Sequence, residues 1–460
     1  MLAGRDLERD IAPMLGAEGV GLMVWSPLAG GLLSGKYDGD GAAADGRRAN
    51  FDFPPVERGR HFLQLPGPTP VPERVLQAMQ RAGNDFTDPA FVAMNESCLA
   101  DLARMLGTAG DVLAYVANGH GVWEAALVNL LEPGDAVLVP GTGRFSRSWA
   151  EMAGLLGIEA IELPADWRRA ADPALVEAAL AADRAGRIKA VLAVHTETAT
   201  STRSDPRLIR RALDATGHGA LLVVDTIASL AIEEFAMDAW GVDAALAVSQ
   251  KGLMLPPGLA FLALGPRALD AARRCRHPRR YWDAPYRLGG ETYLRWHGTP
   301  PVQMVWGLRA ALDMLIEEGL EQAVARHARL AEAVRRCVLA WSAGGAIELN
   351  ALRPEECCNG VTTLRTGPGI DAKALRVLLR ERFAISLGGG LGELEGKALR
   401  IVDCEIADSA RAGIWAWGGT PVRGANSRIF SRSPGSVAVP VYFSPSHWSS
   451  GTSAPLLQPR

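Results

Sequence analysis

Short apolar runs punctuate the middle of the chain. Residues 112–116, 136–139, 190–194, 221–224 and 244–248 are each bounded by polar or turn residues. Amphipathic stretches of helical length, such as residues 206–215, separate them. Continuous apolar strands alternating with helices predict a mainly parallel sheet buried on both faces, and so an α/β fold.

The chain around these runs divides into four segments. Residues 1–57 carry a short helical pattern through Leu7, Ile11 and Leu15, an apolar run at 21–25, and a loop at 38–50 that reads as a linker. Residues 58–305 hold the strand–helix alternation. Residues 306–401 open with a long helical pattern at 308–336, with Gly319 inside it, and continue with strand-like runs at 361–364 and 385–387. They predict a smaller α+β domain. Residues 402–460 lack lysine, are rich in Ser, Gly, Pro and Arg, and keep no period. That composition predicts a disordered tail.

Composition narrows the function class. The chain is 48% hydrophobic and 22% charged, with a net charge of -3. Such balance argues against nucleic acid or an anionic membrane as main partner. Cysteines 98, 275, 337, 357, 358 and 404 follow no disulfide framework and no paired metal spacing. A reduced, cytoplasmic chain without a metal site is the reading. Arg5, Asp6, Glu8, Arg9 and Asp10 leave no signal-peptide core. No apolar run approaches the roughly 20 residues needed to span a bilayer.

Three strand ends carry candidate chemistry, because ligands of parallel sheets sit beyond the carboxyl ends. After 112–116 comes Asn118-Gly119-His120-Gly121 and a helix beginning near Trp123. A glycine turn entering a helix offers backbone N–H groups to a phosphate, although most such turns bind nothing. After 221–224 comes Asp225. A carboxylate there either caps a helix, the commoner case, or pairs with a cationic ring nitrogen. After 244–248 come Ser249, Gln250, Lys251 and Gly252. A lysine at the end of a buried strand either reaches out to solvent or serves as an amine nucleophile.

Longer stretches carry a resemblance. GRHFLQLPGPTPVPERVLQAM (59–79), NGHGVWEAALVNLLEPGDAVL (118–138), VHTETAT (194–200), VVDTIASL (223–230) and VSQKGLMLPPGLAF (248–261) resemble class V aminotransferases, the alanine/serine–glyoxylate group above all. The resemblance covers about three quarters of the chain. It implies a fold-type I pyridoxal 5′-phosphate transferase: a large domain with a mainly parallel seven-stranded sheet, plus a small α+β domain. It implies Lys251 as the residue that bonds the cofactor and Asp225 as partner of the ring nitrogen. Gly119, His120, Gly121 and Gln250 match positions that hold the phosphate, and Thr198 the hydroxyl on the cofactor's phenolic oxygen. Phe145 matches the aromatic stacked on the ring, whereas alone it would be read as core. Trp296 and Thr299 match a loop that reaches the neighbouring subunit's cofactor, which implies a homodimer with shared sites. Arg400 matches the arginine that grips the substrate carboxylate. The implied reaction is transamination of alanine or serine with glyoxylate. A lyase of cysteine desulfurase type on the same fold, and a chimeric product without catalysis, are the alternatives.

The two ends depart from that family. Residues 4–37 are similar to a late part of aldo-keto reductases, a fragment without that family's catalytic residues, so no reductase activity and weak order are expected for 1–57. After Arg400-Ile401 the family pattern stops, and a frame change or fused reading frame near residues 395–410 is the expectation.

Overall fold

The computed structural model describes residues 62–402, apart from 84, 395 and 396. The expectations for residues 1–57, and for the tail beyond 402, lie outside the described residues. The described chain forms two compact units, one of residues 65–372 and 388–402, the other of residues 62–64 and 373–387.

The first unit is built on a seven-stranded sheet. Its strands are β2 (Asp111–Ala117), β3 (Ala136–Pro140), β4 (Glu159–Leu163), β5 (Ile188–Val194), β8 (Leu221–Asp225), β9 (Ala244–Val248) and β10 (Gly258–Leu264). Short β6 (Thr196–Glu197) and β7 (Thr202–Arg203) form a separate ribbon. The order is β2-β10-β9-β8-β5-β3-β4. Only β10 runs antiparallel to its neighbours. The mainly parallel sheet is therefore as expected.

Alternate residues of each strand enter two separate cores. Leu138, Val191, Leu222 and Ala245 pack on one face, and Val137, Leu192, Val223 and Leu246 on the other. Helices Pro89–Leu106, Pro206–Thr216 and Val302–Glu318 supply the first core, and Gly119–Leu130, Arg144–Leu155 and Pro266–Arg274 the second. Burial on both faces is why the strands read as unbroken apolar runs. Strand β4, at the sheet edge, carries Glu159 and Glu162 among its five residues and was not among the expected strands.

Two expected boundaries shift. The helix placed near Trp123 begins at Gly119, with Asn118 as its cap. The pattern at 308–336 is two helices, Val302–Glu318 and Leu320–Ser342, because Gly319 takes φ 86° and breaks the ladder. In the same unit β11 (Ile347–Leu349), β12 (Val361–Thr366) and β14 (Ala398–Val402) pair antiparallel, and Gly388–Gly389 pair with Leu399–Arg400. In the other unit β1 (Phe62–Gln64) pairs in parallel with residues 385–387, the start of β13 (Ile385–Gly389).

One glycine fixes the turn after β9. A Cβ on Gly252 would stand 2.1 Å from the Leu230 carbonyl oxygen, a backbone atom that cannot swing away. Gly252→Ala is expected to destabilise the chain by about 1–3 kcal/mol, read as a lowered midpoint in urea. An unchanged midpoint would show that this turn is free to move.

Candidate active site

Strands β5, β8 and β9 are adjacent and parallel, so their carboxyl ends open on one edge of the sheet. Asp225 is the last residue of β8 and is 4% exposed. Trp123 Nε1–H donates to its Oδ2 at 2.8 Å and the Ile227 N–H to its Oδ1 at 2.7 Å. Burial pushes its carboxyl up to about 6, against the pull of those two donors and of the Lys251 charge. The pairing with Trp123 was not visible in the sequence, where a tryptophan in a first helical turn reads as core.

Lys251 follows β9 by three residues and is half-buried. Its Nζ donates to the Pro66 carbonyl. Gly67 lies on its aliphatic stem: a Cβ there would come within 2.6 Å of Cε, and φ is +138°. The Thr69 N–H donates to the Gln250 carbonyl and its hydroxyl to the Lys251 carbonyl, both at 3.3 Å. Residues 66–69 thus hold the lysine's backbone and amine together.

The N-terminus of the Gly119 helix meets the same edge. A Cβ on Gly119 would touch Ile227 Cδ1 at 3.0 Å, and one on Gly121 would stand 2.8 Å from the Ala117 Cβ. Asn118 Oδ1 accepts from the Gly121 N–H at 3.2 Å. The first-turn N–H groups have no partner within a helix and carry its positive dipole end, which suits an anion. Exposed His120 tilts against Trp123 with centroids 4.7 Å apart, and Phe145 meets Trp123 edge-on at 6.2 Å.

Thr198 and Arg400 converge from another side. Arg400 Nη1 donates to the Thr198 carbonyl at 3.4 Å and Nε to the Gly389 carbonyl at 2.7 Å. A Cβ on Gly388 would stand 2.8 Å from Pro66 Cδ and 3.2 Å from Arg400 Cβ. Pro66, whose carbonyl accepts from Lys251, and Arg400 therefore both pack around Gly388. Gln250 is half-buried beside the lysine. Trp296 and Thr299 are not brought to this cluster. Trp296 is buried in the core and donates to Asn95 Oδ1 at 3.2 Å, and Thr299 is exposed. Among the described residues, neither hydrogen-bonds another candidate.

Glu197, beside Thr198, was passed over in the sequence, where nothing in VHTETAT marks it as buried. It is fully buried and accepts from the Phe145, Ser146 and Ala199 N–H groups.

These residues fit pyridoxal 5′-phosphate. Asp225 is a buried carboxyl whose charge lacks a full counter-cation, as its raised value shows, and a protonated ring nitrogen would supply one. The Gly119 helix N-terminus suits the phosphate, and the half-buried Lys251 amine acts on Asp225 from the next strand end.

Comparison with known proteins agrees. The family described as "Aminotransferase class-V" matches residues 61–393. The chain is 39% identical to a serine–glyoxylate aminotransferase of Methylorubrum extorquens over 75% of its own length and 86% of the relative's. It is 38% identical to an L-aspartate–glyoxylate aminotransferase of Paracoccus denitrificans, over 73% and 84%. A crystal structure of an alanine–glyoxylate aminotransferase from Nostoc sp. superposes with a TM-score of 0.68 at 30% identity, covering 78% of this chain and 93% of that one.

The raised Asp225 value has a consequence for stability. Its folded value of about 6 lies above the ordinary 3.8, so the protonated form favours the folded chain. That contribution is full below the ordinary value and is lost as pH rises through about 6, on the order of 3 kcal/mol in all. Without cofactor, thermal stability is expected to decline across this window, and Asp225→Asn to remove that part of the decline. Parallel pH profiles for the two chains would contradict the assignment.

Proposed function

The chain belongs to the class-V aminotransferases, and from that premise we propose that it transfers the amino group of alanine or serine to glyoxylate, giving glycine and a 2-oxo acid. The observation that carries the reading is the buried Asp225 carboxyl with the Lys251 amine acting on it from the next strand end. Glyoxylate is favoured as acceptor because relatives named for serine and for aspartate as donor share it.

Pyridoxal 5′-phosphate, when bound, supplies a carbonyl that condenses with amines and a cationic ring that takes up the electron pair left by the α-proton. In this reading Lys251 holds the cofactor at rest. With the substrate in place, the Lys251 amine serves as the base that takes the substrate's α-proton and returns it on the same face. Asp225 keeps the ring nitrogen protonated, and Trp123 keeps Asp225 aimed. Gly119, His120, Gly121 and Gln250 hold the phosphate, Thr198 the phenolic oxygen, and Phe145 covers the ring. Arg400 takes the carboxylate of each acid in turn, since a planar guanidinium bonds a carboxylate through two parallel N–H groups. One arginine then serves both half-reactions.

The same reading makes the protein a homodimer, with Trp296 and Thr299 belonging to a loop that completes the partner's site. It places the protein in the cytoplasm, and it divides the chain into a large domain at 58–305 and a small one at 306–401. Among the described residues no helix is long and apolar enough to cross a membrane. The alternative of a cysteine lyase gains no support: the Cys358 thiol is buried and donates to the Val361 carbonyl, and half-buried Cys357 donates to the Arg353 carbonyl.

Two assays test this. Alanine or serine with glyoxylate is expected to yield glycine, and Lys251→Ala none; no glycine from the parent would refute the reaction. Arg400→Lys is expected to raise KM for both donor and glyoxylate about tenfold or more. An effect on one acid alone would contradict the shared carboxylate site.

A further inference from the structure

Glu197 belongs to no step described above, yet it is fully buried at the centre of the site's elements. The Arg144–Leu155 helix starts at Gly143, which has no side chain with which to cap it. Glu197 supplies the missing acceptor from across the fold. Its Oε2 accepts from the Phe145 and Ser146 N–H groups, both at 3.1 Å, and its Oε1 from the Ala199 N–H at 3.0 Å. Gly143 makes this approach possible, since a Cβ there would stand 2.4 Å from Glu197 Cγ. The Glu197 carbonyl also closes its own turn by accepting from the Thr200 and Ser201 N–H groups. One side chain therefore joins the helix that carries Phe145 to the turn that carries Thr198.

We infer that Glu197 is a positioning residue for cofactor binding, whose ionised carboxylate locks Phe145 and Thr198 into one rigid unit. The inference rests on the functional reading just given. A carboxylate suits the task because it accepts only, and three N–H groups face it. The positive end of the helix dipole adds to their hold. Burial opposes the charge and pushes the carboxyl up to about 7, with Asp225 on β8 the charge that adds to the rise. The other charged groups on elements packed here are Arg144, Arg147 and Glu151 on the capped helix, Arg203 on β7, which pairs with Glu233, and Arg400 on β14, which reaches the Thr198 carbonyl. The lock is thus engaged in alkaline solution and loosens as pH falls.

Glu197→Gln keeps the shape but loses the charge and turns an NH2 toward N–H donors. Two measurements on the full chain test the inference. Without cofactor, exchange of the Phe145 and Ser146 amides is expected to quicken about tenfold in the variant. With pyridoxal 5′-phosphate, the variant's Kd is expected to exceed the parent's about tenfold near pH 8.5, and the ratio to shrink toward one near pH 6, where the parent's own carboxyl is protonated. Titrations common to both chains cancel in that ratio. Unchanged amide exchange, or a Kd ratio that does not vary with pH, would overturn the inference. A parent that binds no cofactor would overturn the functional reading, and with it the link from Glu197 to the site. Should the glutamine variant not fold, Glu197→Asp, which keeps the charge and loses the reach, is expected to quicken the same two amides.

Discussion

A carboxylate cannot be buried without partners, and the arrangement around Asp225 answers that constraint. Isolated burial of such a charge costs several kcal/mol or more, and proteins meet the cost with donors, with a counter-charge or by protonation. Here two donors are in place, from Trp123 and Ile227, and the Lys251 charge acts from the neighbouring strand end. The remaining deficit is what a cationic ring would fill. Polarity that would be a defect in a storage protein is, in an aminotransferase, the affinity for a protonated nitrogen.

The sheet makes that placement possible. Parallel β5, β8 and β9 bring three chain segments to one edge, each delivering a polar group just past an apolar strand. Close approaches then do the fine work. Gly252 lets the turn pass under the Leu230 carbonyl, Gly67 admits the lysine stem, and Gly388 leaves room for both Pro66 and Arg400. Each is a position where a methyl group would collide with backbone or with a functional side chain. The glycines of this site serve the packing of its neighbours as much as any turn.

How much of this was legible in the sequence differs by element. The buried strands announced themselves, because burial on both faces removes polar residues from residues 221–224 and 244–248. Asp225 was visible because it ends such a run, and Lys251 because it lies three residues beyond one. Edge strand β4 was hidden by its two glutamates, and Gly319 split a helix whose apolar period continued across it. Trp123 and Glu197 could not be found by spacing. Their roles depend on partners 102 and about 50 residues away, and a period reports only on neighbours within a few turns. Trp296 and Thr299 showed a different limit: their resemblance concerns a second chain, and in one chain the first lies in the core and the second in solvent.

The most direct test is to trap the cofactor where it bonds. The chain has five lysines, at 36, 189, 251, 373 and 397, so the outcome is unambiguous. Borohydride reduction of the chain loaded with pyridoxal 5′-phosphate, followed by digestion and mass measurement, should place the adduct on Lys251 in one copy per chain. An adduct spread over the other four lysines, or none at all, would contradict the assignment of Lys251 and Asp225 as the paired centre of the site.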